Sequence, residues 1–135
     1  MLYQDLIYSL AFLKKFSSSF PEEEINLVDF SSCQHLINFS CNLENDLIQK
    51  INLLCKGCIL FKASSNAICL EIEGKSKKEG IKIIQKFLNM LDSKCEENEI
   101  HEENLKLFWK FQFSKTRKDC VSAGAQAILN YLLTI

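Results

Sequence analysis

The stretch CKGCILFKASSNAICLEIE, residues 55–73, decides how the rest of the chain is organised. An apolar run ends at Gly57, a cysteine follows, and the next residues have the spacing of a helix. Small and apolar residues recur there at intervals of three and four, which predicts a buried stripe: Leu60, Ala63, Ala67 and Leu70. Cys58 stands where this helix is expected to begin, and the positive end of the helix dipole favours a thiolate there. A thiolate is a metal ligand or a nucleophile, so this junction is the first candidate site.

Length and composition place the chain among ordinary globular proteins. Its 135 residues predict one domain, 1–135, that is large enough to bury a core. Apolar residues make up 47% and charged residues 24%, the usual proportions of a folded chain. The net charge of -1 supplies no field that would gather nucleic acid or an acidic membrane surface. We therefore expect neither a nucleic acid nor a membrane as partner.

The N-terminal apolar run and the cysteine count indicate the compartment. Residues 6–13 are apolar, but Asp5 precedes them and two lysines follow, which is the reverse of a secretory signal. A membrane span would need about 20 apolar residues. We therefore predict a cytoplasmic protein. Disulfides are rare in that compartment, so the seven cysteines favour metal or sulfur chemistry for a subset of them.

Hydrophobic periodicity predicts an α+β fold. Three segments read as strands of an antiparallel meander, 25–30, 37–43 and 47–54, and everything after them reads as helical. Helices are also predicted over 1–16, from 77 after the capping box that Ser76 and Glu79 form, and from Cys120 to the end. Residues 105–113 fit a strand or a helix. The expected architecture is a three-stranded antiparallel sheet with helices packed on one face.

Three cysteines occupy similar local settings and could share a metal ion. Cys33 lies in the turn before a strand, Cys58 at one helix start and Cys120 at another, with basic residues ahead of it. His35 is two residues from Cys33, so the two side chains point to the same side of an extended segment. Three thiolates and an imidazole form a plausible tetrahedral site for zinc or iron. Because any chain with seven cysteines offers many such triples, spacing alone leaves this as one hypothesis among several.

Four short motifs resemble those of the SufU/IscU proteins, the NifU N-terminal-like scaffolds of iron–sulfur cluster assembly. LYQDLI, 2–7, echoes the family opening LYxxxI, and SCQH, 32–35, falls on its NPxCGD motif. GCILFKASSN, 57–66, matches GCxxxxASSS, and RKDC, 117–120, falls on the motif of the third cysteine. The order of elements agrees over nearly the whole chain. The acidic insert before residue 105 is more similar to the SufU branch than to the IscU branch.

The resemblance implies a function and a set of site residues. Carried over by position, Cys33, Cys58 and Cys120 are the ligand cysteines, and His35 stands where the family has an aspartate. Family members accept persulfide sulfur from a cysteine desulfurase and serve recipient apo iron–sulfur proteins. SufU-type members bind zinc and relay sulfur, whereas IscU-type members build a 2Fe–2S cluster on the same cysteines. We expect Cys33 to be the sulfur acceptor, Cys120 to be the alternative acceptor, and Arg117 to position the partner or the persulfide.

Two other functions remain open from the sequence. Cys55 and Cys58 form a C-x-x-C pair, which is typical of thiol–disulfide redox proteins, although no βαβ pattern surrounds it. Alternatively, the chain could be an interaction module with a purely structural zinc. The remaining cysteines have simpler interpretations, since Cys41 and Cys69 fall on apolar faces and are expected in the core.

Overall fold

The computed structural model describes residues 3–17, 35–92 and 100–135, and within them helices and one hairpin follow the predicted order. The elements are α1 (Tyr3–Ala11), β1 (Leu36–Glu44), β2 (Leu47–Lys56), α2 (Ile59–Ile72), α3 (Lys77–Leu91), α4 (Glu103–Lys106), a 3₁₀ helix (Trp109–Phe113) and α5 (Lys115–Thr134). The α+β class is confirmed. The described part of the chain has a sheet of two antiparallel strands rather than three, and the predicted strand 25–30 lies outside the described residues. Among these helices, none is long and apolar enough to cross a membrane.

The hairpin forms where the alternating pattern predicts it. Asn45 and Asp46 both have positive φ, 55° and 67°, as a two-residue turn between twisted strands requires. Phe39 pairs with Leu53, and both side chains are buried, so this face of the hairpin carries the core. The amphipathic alternation therefore set both the pairing and the buried face at the centre of the hairpin.

A β-bulge changes which residues of β2 are buried. Ser40 pairs with Asn52 but Asn42 pairs with Gln49, so β2 has one more residue than β1 over this interval, and Lys50 there has φ of 51°. Because of this extra residue, the alternation of side chains between the two faces of the hairpin changes sense in the part of β2 before the bulge. Ile48 is consequently fully buried, whereas Leu47, which has the same parity in the sequence as the buried Ile51 and Leu53, is 38% exposed.

Helix α2 is the centre of the fold and is buried all round. It contacts the four other α-helices and β2. Every residue from Ala63 to Cys69 is buried, so the predicted single stripe underestimates its burial, while Leu60 and Leu70 are only half-buried. A helix enclosed on all sides needs small residues where its neighbours approach, and this is the role of the Ala-Ser-Ser segment.

Helix α5 approaches α2 at Gly124 more closely than a side chain allows. A Cβ at Gly124 would lie 1.9 Å from Ser65 Oγ and 3.0 Å from Ser65 Cβ. Ser65 cannot easily move away, because its hydroxyl donates to the carbonyl of Phe61 at 2.8 Å. Only glycine at position 124 therefore allows the two helices to pack this closely, and the contact fixes the position of α5 along the axis of α2.

We expect Gly124→Ala to destabilise the protein by about 1–3 kcal/mol, the usual result of overpacking. The clash outweighs the ~1 kcal/mol that alanine gains over glycine inside a helix. Urea unfolding of the purified protein measures the change. Gly80→Ala is the matched control, since its Cβ would meet chiefly the flexible end of Ile48, at 2.7 Å. An unchanged or increased free energy of unfolding for Gly124→Ala, or no coupling to Ser65→Gly in a double-mutant cycle, would contradict this account.

Three boundaries differ from the sequence prediction for tertiary reasons. Helix α1 ends at Ala11 rather than near residue 16, because the chain turns to bury Phe16, whose carbonyl accepts from the Leu53 N–H at 2.9 Å. Residues 105–113 form the end of α4 and the 3₁₀ helix, not one strand or helix. Helix α5 begins at Lys115, capped by Ser114, and not at Cys120. Ser76 caps α3 as predicted, accepting from the Glu79 N–H at 3.1 Å.

Candidate metal centre

Cys58 is the N-cap residue of α2. Its backbone is extended, with φ of -71° and ψ of 165°, and its side chain makes no capping hydrogen bond. A cap residue of this kind leaves the strand just before the first helical turn, so its side chain lies at the junction of sheet and helix. The Cys58 thiol is half-buried there and is available to a ligand or a partner side chain.

His35 lies at the same junction, immediately before the first strand of the hairpin. Leu36 pairs with Lys56, so the residue before β1 lies beside the residues that follow β2. His35 Nε2 is 3.8 Å from Cys58 Sγ. The imidazole also stacks on Phe61, with ring centroids 4.5 Å apart and an interplanar angle of 25°. The pairing register of the two strands, which is set far from the site, thus places His35 beside Cys58.

Cys120 comes from α5, one turn before the close contact at Gly124. It lies in the second turn of the helix and is 6% exposed. The prediction that Cys120 stands at the helix start is therefore wrong, because the helix begins five residues earlier, at Lys115. The basic residues ahead of it form the first turn instead, where Lys118 pairs with Asp92 at 3.0 Å. Arg117 is exposed in that turn, and its positioning role stays a prediction.

The structure brings three of the four proposed ligands together. The ligand atoms of His35, Cys58 and Cys120 all lie within 4.8 Å of one another. They come from three elements separated by up to 85 positions in the chain, counted from 35 to 120. Cys33 lies outside the described residues, so its participation stays a prediction.

The donor set and its spacing fit a tetrahedral metal ion. Zinc–sulfur bonds of about 2.3 Å and zinc–nitrogen bonds of about 2.0 Å put sulfur and nitrogen about 3.5 Å apart around a tetrahedral ion. The observed separation of Cys58 Sγ and His35 Nε2, 3.8 Å, is close to that value. Two thiols with an imidazole are ligands that suit zinc and iron. These residues can therefore hold such an ion, with one or more positions left for further ligands.

The surroundings of His35 favour its metal-binding form. Burial lowers the pKa of the imidazole below its ordinary value, while the negative charge of Asp119 acts in the opposite direction and raises it. Burial is the larger of the two effects, so the ring is neutral at neutral pH. A neutral imidazole has a lone pair to donate to a metal ion.

The other described cysteines are core residues. Cys69 is fully buried and Cys41 is 7% exposed, as predicted, and burial raises the pKa of each thiol. Burial also raises the pKa of Cys55 to about 12, despite a hydrogen bond with Ser65 and the charge of Lys62, which both lower it. A redox pair needs a thiolate that attacks near neutral pH. The raised pKa makes Cys55 unsuited to be the attacking thiol, and the Cys58 thiol lies in a group with His35 and Cys120. This grouping favours a metal centre over a redox function of Cys55 with Cys58.

Phe61 is the neighbour of the site that the sequence analysis missed. In the sequence, Phe61 is one of several apolar residues of α2. Its position three residues after Cys58 is the one signal that could have indicated a place beside the site. Residues three apart on a helix lie on the same side.

Comparison with known proteins gives a fold and no family. No protein-family model matches the chain. An uncharacterised protein of Mycoplasma pneumoniae is 24% identical over 101 residues, which cover 75% of this chain and 71% of that protein. A crystal structure of a hypothetical protein superposes with a TM-score of 0.79 at 17% identity, covering 97% of this chain and 96% of that one.

A second solved structure gives the fold its class. It belongs to a protein of the thermophile Fervidobacterium islandicum AW-1, described as an iron–sulfur cluster assembly scaffold protein for the SUF system. The TM-score is 0.69 at 17% identity, with 93% of this chain and 94% of that chain covered. The chain therefore shares the fold of that protein.

Proposed function

We propose that this protein works in iron–sulfur cluster assembly, as a SufU-type sulfur acceptor with one metal centre. Cys33, His35, Cys58 and Cys120 are the proposed ligands, and zinc or iron is the proposed ion. The observation that carries the proposal is the convergence of His35, Cys58 and Cys120 within 4.8 Å on a scaffold-type fold. The proposed site of action is the cytoplasm.

The proposed chemistry is the transfer of one sulfur atom between thiols. A cysteine desulfurase presents a persulfide, and the thiolate of Cys33 attacks its outer sulfur. The new sulfur–sulfur bond forms as the old one breaks, and the desulfurase cysteine leaves as a thiolate, so no external oxidant or reductant is needed. A bound zinc ion would keep the cysteines deprotonated.

The environments of the cysteines support Cys33 as the first acceptor. Cys120 is fixed within α5 and is 6% exposed, which hinders its thiolate from reaching a persulfide carried by a large partner. Cys33 precedes the first strand of the hairpin in sequence and was expected in a turn. Arg117, exposed one turn before Cys120, is proposed to position the desulfurase or the persulfide anion. A 2Fe–2S cluster assembled on the same cysteines, for delivery to apo proteins, is the other form of this proposal.

Metal content and desulfurase turnover test the proposal together. We expect close to one zinc or iron ion per chain after expression in metal-replete medium, measured by elemental analysis. With excess dithiothreitol present as the reductant that converts persulfide to sulfide, we also expect the protein to raise sulfide release by a cysteine desulfurase, because it takes the sulfur from the desulfurase cysteine and frees that cysteine for the next turnover. Cys33→Ala should abolish this stimulation, whereas Cys95→Ala, which changes a cysteine outside the proposed set, should retain it.

The outcomes separate the competing functions. A metal-free wild-type protein would overturn the metal centre. Full stimulation by Cys33→Ala would overturn the acceptor assignment. A zinc protein that leaves desulfurase turnover unchanged, and that unfolds when a ligand cysteine is replaced, would instead be an interaction module with structural zinc.

A further inference from the structure

The imidazole of His35 rests on the ring of a single buried aromatic residue. Its centroid is 4.5 Å from that of Phe61, and the planes differ by 25°. Offset stacking at this distance is a favourable geometry for two flat rings. The stack fixes the plane of the imidazole and leaves Nε2 facing Cys58 Sγ at 3.8 Å.

Phe61 is itself held rigidly. Its side chain is fully buried, and its carbonyl accepts hydrogen bonds from the hydroxyls of Ser64 and Ser65, at 3.2 Å and 2.8 Å. Ser65 is in turn confined by the approach of Gly124. Phe61 and Cys58 lie one turn apart at the start of the same helix, so α2 presents one ligand and supports the other.

A histidine ligand depends on ring orientation more than a carboxylate does. An imidazole nitrogen has one lone pair, in the plane of the ring, so a metal ion must lie close to that plane. A metal-binding histidine usually has a second partner that fixes its ring, and loss of that partner lowers metal affinity by about 10–100-fold. Among the described residues, Phe61 stacks on the imidazole of His35, and Cys58 Sγ lies 3.8 Å from its Nε2.

We propose that Phe61 is a positioning residue that orients His35 Nε2 for metal binding. The inference rests on the proposed metal centre, and it adds a residue that acts through the histidine and touches no metal. Its consequence is specific: the contribution of Phe61 to metal affinity should exist only while residue 35 is a histidine.

The stack can be tested in the metal-free protein by NMR. The ring current of Phe61 should move the carbon-bound protons of His35 upfield from their positions in an unstructured peptide. Phe61→Leu should return these signals towards the unstructured values, and Phe61→Tyr should keep them shifted. His101, the other histidine, is exposed and gives an internal reference that neither substitution should move. His35 signals at unstructured positions in the wild type would overturn the proposal.

A double-mutant cycle on zinc affinity tests the consequence. We expect Phe61→Leu to weaken zinc binding by about tenfold in the wild-type background, measured by chelator competition, and Phe61→Tyr to restore it. In the His35→Asp background, Phe61→Leu should change the affinity by less than about twofold. Equal weakening in both backgrounds would mean that Phe61 only supports the core, and would overturn the proposal.

A spectroscopic measurement and a folding control accompany the zinc-affinity cycle. The Co²⁺-substituted protein should change its visible absorption on Phe61→Leu, because the nitrogen ligand is displaced. If Phe61→Leu does not fold, judged by circular dichroism, Phe61→Met replaces it in the same cycle. Zinc binding by the wild type without the predicted coupling overturns the role of Phe61 alone, whereas absence of zinc from the wild type overturns the proposed function and this inference with it.

Discussion

Replacing Cys58 with alanine is expected to lower zinc affinity by more than about 100-fold, because it removes a bond to the ion and not merely a residue that orients a ligand. Cys58 lies at the start of α2, with His35 Nε2 3.8 Å from its sulfur and Cys120 within the same 4.8 Å group. No other described cysteine belongs to that group. Competition with a chromophoric chelator at neutral pH measures the affinity.

Cys55→Ala is the matched control for this prediction. Cys55 is three residues earlier in the same C-x-x-C segment, but its thiol packs into the core and its pKa is raised to about 12 by burial. We expect this substitution to change zinc affinity by less than about twofold, because Cys55 lies outside the group of ligand atoms that His35, Cys58 and Cys120 form. If both substitutions abolish zinc binding equally, Cys55 is also a ligand and the proposed ligand set is wrong. A reversible disulfide between residues 55 and 58 in a wild-type protein that binds no zinc would instead replace the metal centre with the redox interpretation.

The metal-free protein is expected to lose stability steeply above pH 9. Burial raises the folded-state pKa of Cys55 from 9.0 to about 12, and it raises the pKa of Cys69 well above its ordinary value of 9.0. The unfolded chain therefore releases protons that the folded protein keeps, and alkaline pH favours unfolding. Each thiol contributes a loss of about 1.4 kcal/mol per pH unit between its unfolded and folded pKa values, so the two together give about 3 kcal/mol per unit.

The sign of this dependence follows from the direction of the shifts. The stabilisation by these two thiols is complete below pH 9 and declines as the pH rises towards the folded-state values. Urea unfolding between pH 8 and 10.5, under reducing conditions, measures the slope. Cys55→Ala should reduce the slope by about 1.4 kcal/mol per pH unit, because it removes one of the buried thiols whose pKa is raised. A slope that is the same in Cys55→Ala and the wild type would contradict the burial of this thiol.

Much of the local structure follows from short-range patterns. The hairpin, the start of α2 after Cys58 and the cap of α3 by Ser76 are each specified by residues within a few positions of one another. Alternating apolar and polar residues indicate a strand, and apolar residues at intervals of three and four indicate a helix. A capping serine marks the first turn of that helix. The chemical identities of the candidate ligands are also visible in the sequence, although their grouping was inferred by resemblance.

Errors in the sequence prediction arise where distant contacts override local preference. Because of the bulge at Lys50, Ile48 lies in the core and Leu47 does not, and no local pattern in the sequence indicates the bulge. Burial of Phe16 ends α1 early. The start of α5 was misplaced because the segment ahead of it is polar and basic, so its helical turn carries no apolar stripe.

The sequence by itself determined the order of the described elements, the hairpin, the helix that follows Cys58 and the stock of thiols and imidazoles from which a site can be made. Tertiary structure alone decided which of these meet. Strand register carries His35 to Cys58, and the close contact of Gly124 with Ser65 sets Cys120 beside them. Periodicity describes neighbours within about one turn or one strand pair, whereas a site built from three distant segments depends on how whole elements pack.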